Sequence, residues 1–68
     1  MNLKDSLTPV ESQILYYIVN EMPNKEIARE MNYSQRTIEY HINKISRKLN
    51  VNTRVGIVVR AFREKLVE

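Results

Sequence analysis

Apolar residues recur at helical spacing in four segments of the chain, and short polar breaks separate these segments. Positions three or four residues apart lie on one side of a helix with 3.6 residues per turn. The four predicted inner faces are Val10, Ile14, Tyr17 and Ile18; Ile27, Ala28 and Met31; Ile38, Ile42, Ile45 and Leu49; and Val55, Val58, Val59, Phe62 and Leu66. We therefore predict an all-α fold, a compact four-helix bundle with helices at about 8–21, 25–32, 35–49 and 53–66.

Local signals mark where the predicted helices begin. Thr8, Pro9 and Glu11 supply a hydroxyl cap, a proline at the first helical position and a carboxylate that can reach back to the cap, which is typical of a capping box. Ser34 is suited to cap the third helix. Pro23 disfavours helix in the residue before it and so separates the first helix from the second.

The third predicted helix is amphipathic, with a polar and mostly cationic outer side. Opposite its isoleucine stripe lie Arg36, Tyr40, Asn43 and Arg47, flanked by Glu39 and Lys44. Residues 34–54 carry five basic and one acidic side chain, a net charge of +4 within a chain whose total is +3. Concentrated positive charge favours a polyanion-facing surface. A plain solvated helix face is the alternative that charge alone leaves open.

Length and composition restrict the class of protein. A chain of 68 residues has room for one domain, 1–68, in which we expect 1–6 to form a flexible N-terminal end. The absence of cysteine excludes a disulfide framework and a cysteine-based zinc site. The longest apolar run, residues 14–19, is far shorter than the roughly 20 residues needed to span a bilayer, so we expect a cytoplasmic protein without a membrane partner.

No arrangement of residues indicates catalysis or a cofactor. His41 is the only histidine, and Thr37 and Ile45 occupy the positions where a second metal ligand would stand on the same helix face. We therefore interpret His41 as a boundary residue that is hydrogen-bonded between helices, and predict a non-enzyme without metal or cofactor. The tyrosines at 16, 17 and 33 are interpreted as packing residues with a hydrated hydroxyl.

A short second helix, a tight turn and a third helix with a basic outer side form the arrangement of a helix-turn-helix DNA reader. The sequence also resembles the LuxR-type, or GerE-like or FixJ-type, helix-turn-helix domain of bacterial transcription regulators. The resemblance runs from about residue 7 to 66 and rests on LTPVE at 7–11, NKEIAREM at 24–31, S-x-x-TIEYHINKISRKL at 34–49 and NTRV at 52–55. It implies that helix 35–49 enters the major groove and that the fourth helix supports dimerisation on a pseudo-palindromic site.

The chain departs from the family pattern in the turn before the second helix. Glu21 stands where the family commonly has glycine, and Pro23 stands where it often has serine or threonine. We expect Asn24 to cap the second helix instead.

The resemblance also implies which residues contact DNA. The positions that match base-contacting ones are Glu39, Tyr40 and Asn43, and those expected on phosphates are Arg36, Thr37, Lys44, Arg47 and Lys48. An asparagine can pair with adenine, and a glutamate can accept from cytosine. Because phosphates repel its carboxylate, Glu39 has two alternative roles, which are to discriminate against wrong sequences or to pair with Arg36 or Lys44 on its own helix.

The fourth predicted helix has a second, weaker apolar strip formed by Ile57, Val58 and Ala61, which we interpret as a dimer interface. The predicted partners are thus double-stranded DNA and a second copy, with RNA polymerase or another regulator as further partners. Two alternatives remain: an interaction module that keeps the scaffold but binds another regulator, and ordinary surface polarity at the outer positions. Peripheral membrane binding is disfavoured, since the chain has no Trp and one Phe to insert.

Overall fold

The structure, a computed structural model, describes residues 3–67. Its helices are α1 (Leu3–Ser6), α2 (Pro9–Val19), α3 (Asn24–Met31), α4 (Gln35–Leu49) and α5 (Arg54–Arg63). The predicted all-α class is confirmed, because the described residues contain helices and no strand. The prediction for 35–49 matches α4 at both ends, whereas α2 and α5 are shorter than predicted. Residues 3–6 of the predicted flexible end form α1, and residues 1 and 2 lie outside the described residues.

Side-chain caps begin α2 and α4 as predicted. The Thr8 hydroxyl accepts a hydrogen bond from the Glu11 N–H at 3.1 Å, and the Glu11 carboxylate accepts one from the Thr8 N–H at 2.9 Å. This reciprocal pair is the expected capping box. At the start of α4, the Ser34 hydroxyl accepts from the Thr37 N–H at 3.0 Å. Both caps satisfy backbone donors that would otherwise have no partner within the helix.

The predicted cap of α3 is wrong. Pro23 occupies the cap position, with φ −68° and ψ 156°, and no side chain caps the helix there. Asn24 is the first helical residue, and its side-chain oxygen accepts a hydrogen bond from the Arg54 guanidinium at 2.7 Å. The amide is therefore used for a contact with the start of α5, 30 positions along the chain.

Each helix from α2 to α5 is followed by a residue with left-handed backbone. These residues are Glu21, Asn32, Asn50 and Lys65, with φ between 56° and 64°. After α2, the Glu21 N–H donates to the Ile18 carbonyl at 2.9 Å and the Met22 N–H donates to the Tyr17 carbonyl at 3.0 Å. This is the hydrogen-bond pattern of a Schellman motif, which usually has glycine at the left-handed position. Glu21 thus adopts the backbone of the glycine it replaces.

The core lies between α2, α3, α4 and α5. Its buried apolar residues are Ile14, Leu15, Ile18, Ile27, Ala28, Ile38, Ile45, Leu49, Ile57 and Ala61. The predicted inner faces of α2 to α4 are confirmed at most positions, with Val10, Tyr17, Met31 and Ile42 half-buried against the core. Leu15 is a core residue that the predicted face of the first helix omits.

The predicted face of α5 is wrong. Ile57 and Ala61, interpreted above as part of a surface strip, are buried in the core at 1% and 0% exposure, and Val58 is half-buried. The exposed side instead carries Val55, Val59 and Phe62. Apolar side chains occur on both sides of α5, so their spacing is compatible with either orientation, and packing against α2 and α4 selects Ile57 and Ala61. Leu66, predicted to extend the helix, lies beyond its last residue.

A partly buried ion pair joins the start of α2 to the last turn of α4. The Lys48 ammonium lies 2.6 Å from Oε1 of Glu11, which is 1% exposed, and also donates to the Ser6 carbonyl at 2.8 Å. Burial alone would raise the pKa of Glu11, but hydrogen bonds from Lys48 and Thr8, with the nearby positive charges, outweigh it and hold the pKa below its ordinary value. These contacts do not support the phosphate contact predicted for Lys48, because its ammonium is used inside the domain.

Candidate nucleic-acid interface

α4 is the central helix of the domain and packs against each of the other four helices. Ile38, Ile45 and Leu49 are fully buried along one of its edges. Since side chains on a helix project radially, an edge anchored in this way leaves the opposite edge directed away from the core.

The outer edge of α4 carries most of the residues predicted to contact DNA. Its exposed side chains are Arg36, Glu39, Tyr40, Asn43 and Arg47. Lys44 and Thr37 lie half-buried at its margin, and the Thr37 hydroxyl is 2.9 Å from that of Ser34. The structure thus brings the predicted base-contacting and phosphate-contacting residues, Lys48 excepted, to one accessible side of α4 and its margin.

A tight turn sets α4 relative to α3. Asn32 adopts a left-handed backbone, the Tyr33 N–H donates to the Ala28 carbonyl at 2.9 Å, and Ser34 caps α4. The turn therefore contains three residues, each fixed by its backbone or by a hydrogen bond. Two helices joined in this way, with the second exposing its outer edge, form a helix-turn-helix.

The outer edge of α4 has a net positive charge. Arg36, Lys44 and Arg47 are opposed by one carboxylate, Glu39. Within residues 3–67, no ion pair joins Glu39 to Arg36 or Lys44, so the alternative in which Glu39 pairs on its own helix is not realised. All three cations thus remain available to an anionic partner.

Aromatic rings continue this surface from α4 onto the turn. The Tyr33 ring stacks on His41 with centroids 6.0 Å apart, and the Tyr40 ring meets His41 edge-on at 5.4 Å. The Lys44 ammonium lies 5.4 Å from the centre of the Tyr40 ring. We call the three ring-bearing residues, Tyr33, His41 and Tyr40, the aromatic row. His41 is half-buried at the boundary, as predicted, but its predicted hydrogen bond is absent: Nδ1 is buried without a partner among the described residues.

The tyrosines differ in how far they are buried. Tyr17 is half-buried against the core and fits its interpretation as a packing residue. Tyr16 and Tyr33 are 55% and 39% exposed, more than that interpretation implies. Helical periodicity does not predict that Tyr33 lies beside α4, because Tyr33 is in the turn. Its contact with His41 depends on the angle between α3 and α4.

A second exposed surface lies on α5. Val55, Val59 and Phe62, which we call the α5 strip, are spaced four and three residues apart and are 72%, 46% and 49% exposed. Beside Val55, a groove of about 940 Å³ runs between α5 and the α2–α3 turn, with Val19, Met22 and Val58 among its lining residues. Counting apolar residues on both sides of the helix could have revealed this strip in the sequence.

Two further properties bear on the class of protein. In the part of the chain that the structure describes, no helix has the length and apolarity required to cross a membrane. Residues 3–67 also contain no group of three or more histidine, aspartate or glutamate side chains placed to hold a metal ion.

Comparison with known proteins identifies the family of this helix-turn-helix domain. The sequence model described as "Bacterial regulatory proteins, luxR family" matches residues 5–61, most of the chain. The chain therefore belongs to the luxR family of bacterial regulatory proteins, and the resemblance stated from the sequence is confirmed.

Several curated proteins are similar in sequence. The chain is 40% identical over 63 residues to a nitrate/nitrite response regulator protein homolog of Haemophilus influenzae, covering 93% of this chain and 30% of that protein. It is 41% identical over 58 residues to the transcriptional regulatory protein ComA of Bacillus subtilis, covering 85% and 27%. It is 34% identical over 59 residues to the nitrate/nitrite response regulator protein NarP of Escherichia coli, covering 87% and 27%. The chain thus spans less than a third of the length of these relatives.

Proposed function

We propose that this chain binds double-stranded DNA in a sequence-specific manner, with α4 in the major groove, and thereby regulates transcription. The observation that carries this proposal is the outer edge of α4, which is exposed, polar and cationic while its inner edge is buried. The names of the relatives describe response regulators and a transcriptional regulatory protein. They support extending the proposal from DNA binding to regulation, with RNA polymerase or another regulator as a further partner.

The dimensions of α4 suit this role. A helix with its side chains is about 10–12 Å across, and the major groove is about 12 Å wide. The three cations at the outer edge can contact the phosphates on both sides of the groove, while shorter polar side chains reach base edges. We assign Glu39, Tyr40 and Asn43 to bases and Arg36, Thr37, Lys44 and Arg47 to phosphates.

We further propose that two copies bind together. The domain is 31 Å in its longest dimension, whereas successive major grooves on one side of DNA are about 34 Å apart. One copy, with α4 as its single DNA-contacting helix, can therefore occupy one half-site. The α5 strip is exposed and apolar, so it is the surface through which we expect two copies to associate on a pseudo-palindromic site.

The test is selection of bound sequences from a random duplex pool, followed by affinity measurements on the selected site and on random DNA. Asn43→Ala should weaken binding to the selected site by about 1–3 kcal/mol and relax preference at one base pair. Arg47→Ala should weaken binding to both DNAs by similar factors. Arg63→Gln removes an exposed cation from α5 and serves as the matched control, with little change on either DNA. Equal losses on both DNAs for Asn43→Ala would contradict its role.

The association of two copies has its own test. Val59→Asp should reduce cooperative filling of paired half-sites while leaving binding to a single half-site nearly unchanged, since Val59 lies on the exposed side of α5 and is not one of the residues assigned to DNA. The urea midpoint of the variant should stay near that of the wild type. Unchanged cooperativity would exclude the α5 strip from the interface.

The exposed α5 strip and its groove favour one competing function, that of a module which binds another regulator through apolar contacts. The dependence of affinity on salt separates the two. Two copies with three cations each on phosphates should give a slope of log affinity against log salt of about −5. Association with a protein through the α5 strip should depend on salt much less steeply. A shallow slope of log affinity against log salt for the partner that the chain binds most tightly would favour the competing module.

A further inference from the structure

Tyr40, one of the three residues predicted to contact bases, has an aromatic ring that contacts neighbouring side chains. It is 58% exposed, yet His41 meets its ring edge-on and the Lys44 ammonium lies 5.4 Å from its centre. His41 in turn carries the Tyr33 ring stacked at 6.0 Å, with an angle of 26° between the planes. The aromatic row thus connects a base-reading side chain to a residue of the turn.

The turn end of the aromatic row is held firmly. The Tyr33 N–H donates to the Ala28 carbonyl at 2.9 Å, and Asn32 and Ser34 on either side are fixed by the left-handed backbone and the helix cap. His41 is half-buried, and its buried Nδ1 has no hydrogen-bond partner among the described residues. Among the described residues, the specific contacts of the imidazole are therefore those with the Tyr33 and Tyr40 rings.

We propose that Tyr33 is a specificity-determining residue of the DNA interface, acting as a positioning residue that fixes the Tyr40 ring through His41. This inference rests on the function proposed above. Because Tyr33 stacks on His41, the imidazole is held in one ring orientation. The edge of the imidazole then limits the positions that the Tyr40 ring can take. A side chain held before binding loses less freedom on binding and discriminates more sharply between base pairs than one that can turn to fit several.

The experiment measures discrimination at single base pairs. The selected site is varied one base pair at a time, and the ratio of affinities for preferred and substituted pairs is measured with wild type, Tyr40→Ala and Tyr33→Ala. Tyr40→Ala identifies the base pair that Tyr40 reads. Tyr33→Ala should lower the affinity ratio at that same base pair by about 2- to 10-fold, the range expected for loss of an aromatic contact. Affinity for random DNA should change less than twofold.

Three further variants separate positioning from other roles. Tyr33→Phe keeps the ring and should discriminate between base pairs as well as the wild type. If Tyr33→Phe instead binds all DNA more weakly, the hydroxyl contacts phosphate directly and the proposal is overturned. Adding Tyr33→Ala to Tyr40→Ala should cause no further loss at that base pair, and additive losses would also overturn it. Tyr16→Ala removes an exposed tyrosine of α2 that packs on Tyr17, and as the matched control it should change no ratio.

The remaining outcomes are also decisive. If Tyr33→Ala lowers the urea midpoint so far that the domain is not folded, Tyr33→Leu is used in its place. Leucine keeps the apolar contact but has no ring to stack, so the same loss of discrimination is expected. A wild-type chain that selects no sequence would contradict the proposed function itself, and with it this inference. A wild-type chain that selects a sequence, with discrimination unchanged in the folded Tyr33 variants, would contradict this inference alone.

Discussion

α4 and α5 each bury one edge in the same core, but their outer edges differ in chemistry. α4 exposes charged and hydrogen-bonding side chains such as Arg36, Asn43 and Arg47, whereas α5 exposes the aliphatic and aromatic α5 strip. A cationic edge is complementary to a polyanion, and an apolar strip gains free energy when another apolar surface covers it. The ten buried apolar residues found among residues 3–67 therefore support two exposed surfaces that suit two different classes of partner.

The two helices also differ in how they are held. α4 packs on all four other helices, whereas α5 packs mainly on α2 and α4. The Arg54 guanidinium adds hydrogen bonds from the start of α5 to the Asn24 side chain and to the Met22 carbonyl, at 2.7 and 2.8 Å. The variants below test this contrast between inner and outer edges, beginning with the largest expected effect.

Ile57→Ala should have the largest effect. It removes a fully buried side chain of α5 and leaves a cavity, with a loss of about 3–4 kcal/mol in the free energy of unfolding. Val59→Ala, on the exposed edge of the same helix, should change that free energy by less than about 0.5 kcal/mol. Urea denaturation measures both. Similar losses for the two variants would mean that α5 does not have the inner and outer edges described above.

Lys48→Met should destabilise the domain by about 3 kcal/mol, because the buried carboxylate of Glu11 loses its cation. Glu11→Gln should cost less, about 1–2 kcal/mol, since the freed Lys48 side chain is 30% exposed and can turn toward water. The order of the two losses in urea denaturation is the test. If Lys48→Met leaves stability unchanged and instead weakens DNA binding, Lys48 belongs with the outer edge of α4.

The same ion pair makes stability depend on pH. Because the pKa of Glu11 in the folded domain lies below its ordinary value of 4.5, the charged carboxylate stabilises the fold above that value. This contribution is lost as the pH falls through the lower, folded pKa. Between about pH 5 and pH 3, the urea midpoint of the wild type should fall more steeply than that of Glu11→Gln. Parallel curves for the two proteins would contradict the lowered pKa.

Replacing residues with left-handed backbone should have small effects, and Glu21→Gly should gain about 0.5–1 kcal/mol. Glycine adopts the left-handed backbone after α2 without the steric cost that Glu21 bears at φ 64°. Asn50→Gly, after α4, should gain less, since asparagine tolerates this conformation better than glutamate. Thermal unfolding of the two variants measures the difference, and a loss of stability for Glu21→Gly would be evidence against strain at this turn.

The sequence predicts those parts of the fold that depend on neighbouring residues. The capping box at Thr8, the cap at Ser34 and the bounds of α4 follow from short-range hydrogen bonds, and they are confirmed. The inner edge of α4 is predicted because its apolar residues form a single stripe. α5 has apolar residues around most of its circumference, and which of them are buried depends on the helices against which it packs.

Contacts between distant residues account for the other differences. Lys48 and Glu11 are 37 positions apart, and Arg54 and Asn24 are 30 apart, so no local pattern pairs them. A lysine near the end of an amphipathic helix is ordinarily exposed, and its long stem also allows it to reach inward when a buried carboxylate is within range. The stacking of Tyr33 on His41 depends in the same way on how the turn orients α3 against α4.

The central place of α4 has a consequence for the dynamics of the domain. Because α4 contacts every other helix in residues 3–67, its unfolding would remove packing from all of them. The backbone amides around its buried residues Ile38, Ile45 and Leu49 should therefore exchange hydrogen with solvent more slowly than those of α1 or the last turn of α5. The outer edge of α4, which we propose contacts DNA, would then persist for as long as the domain stays folded.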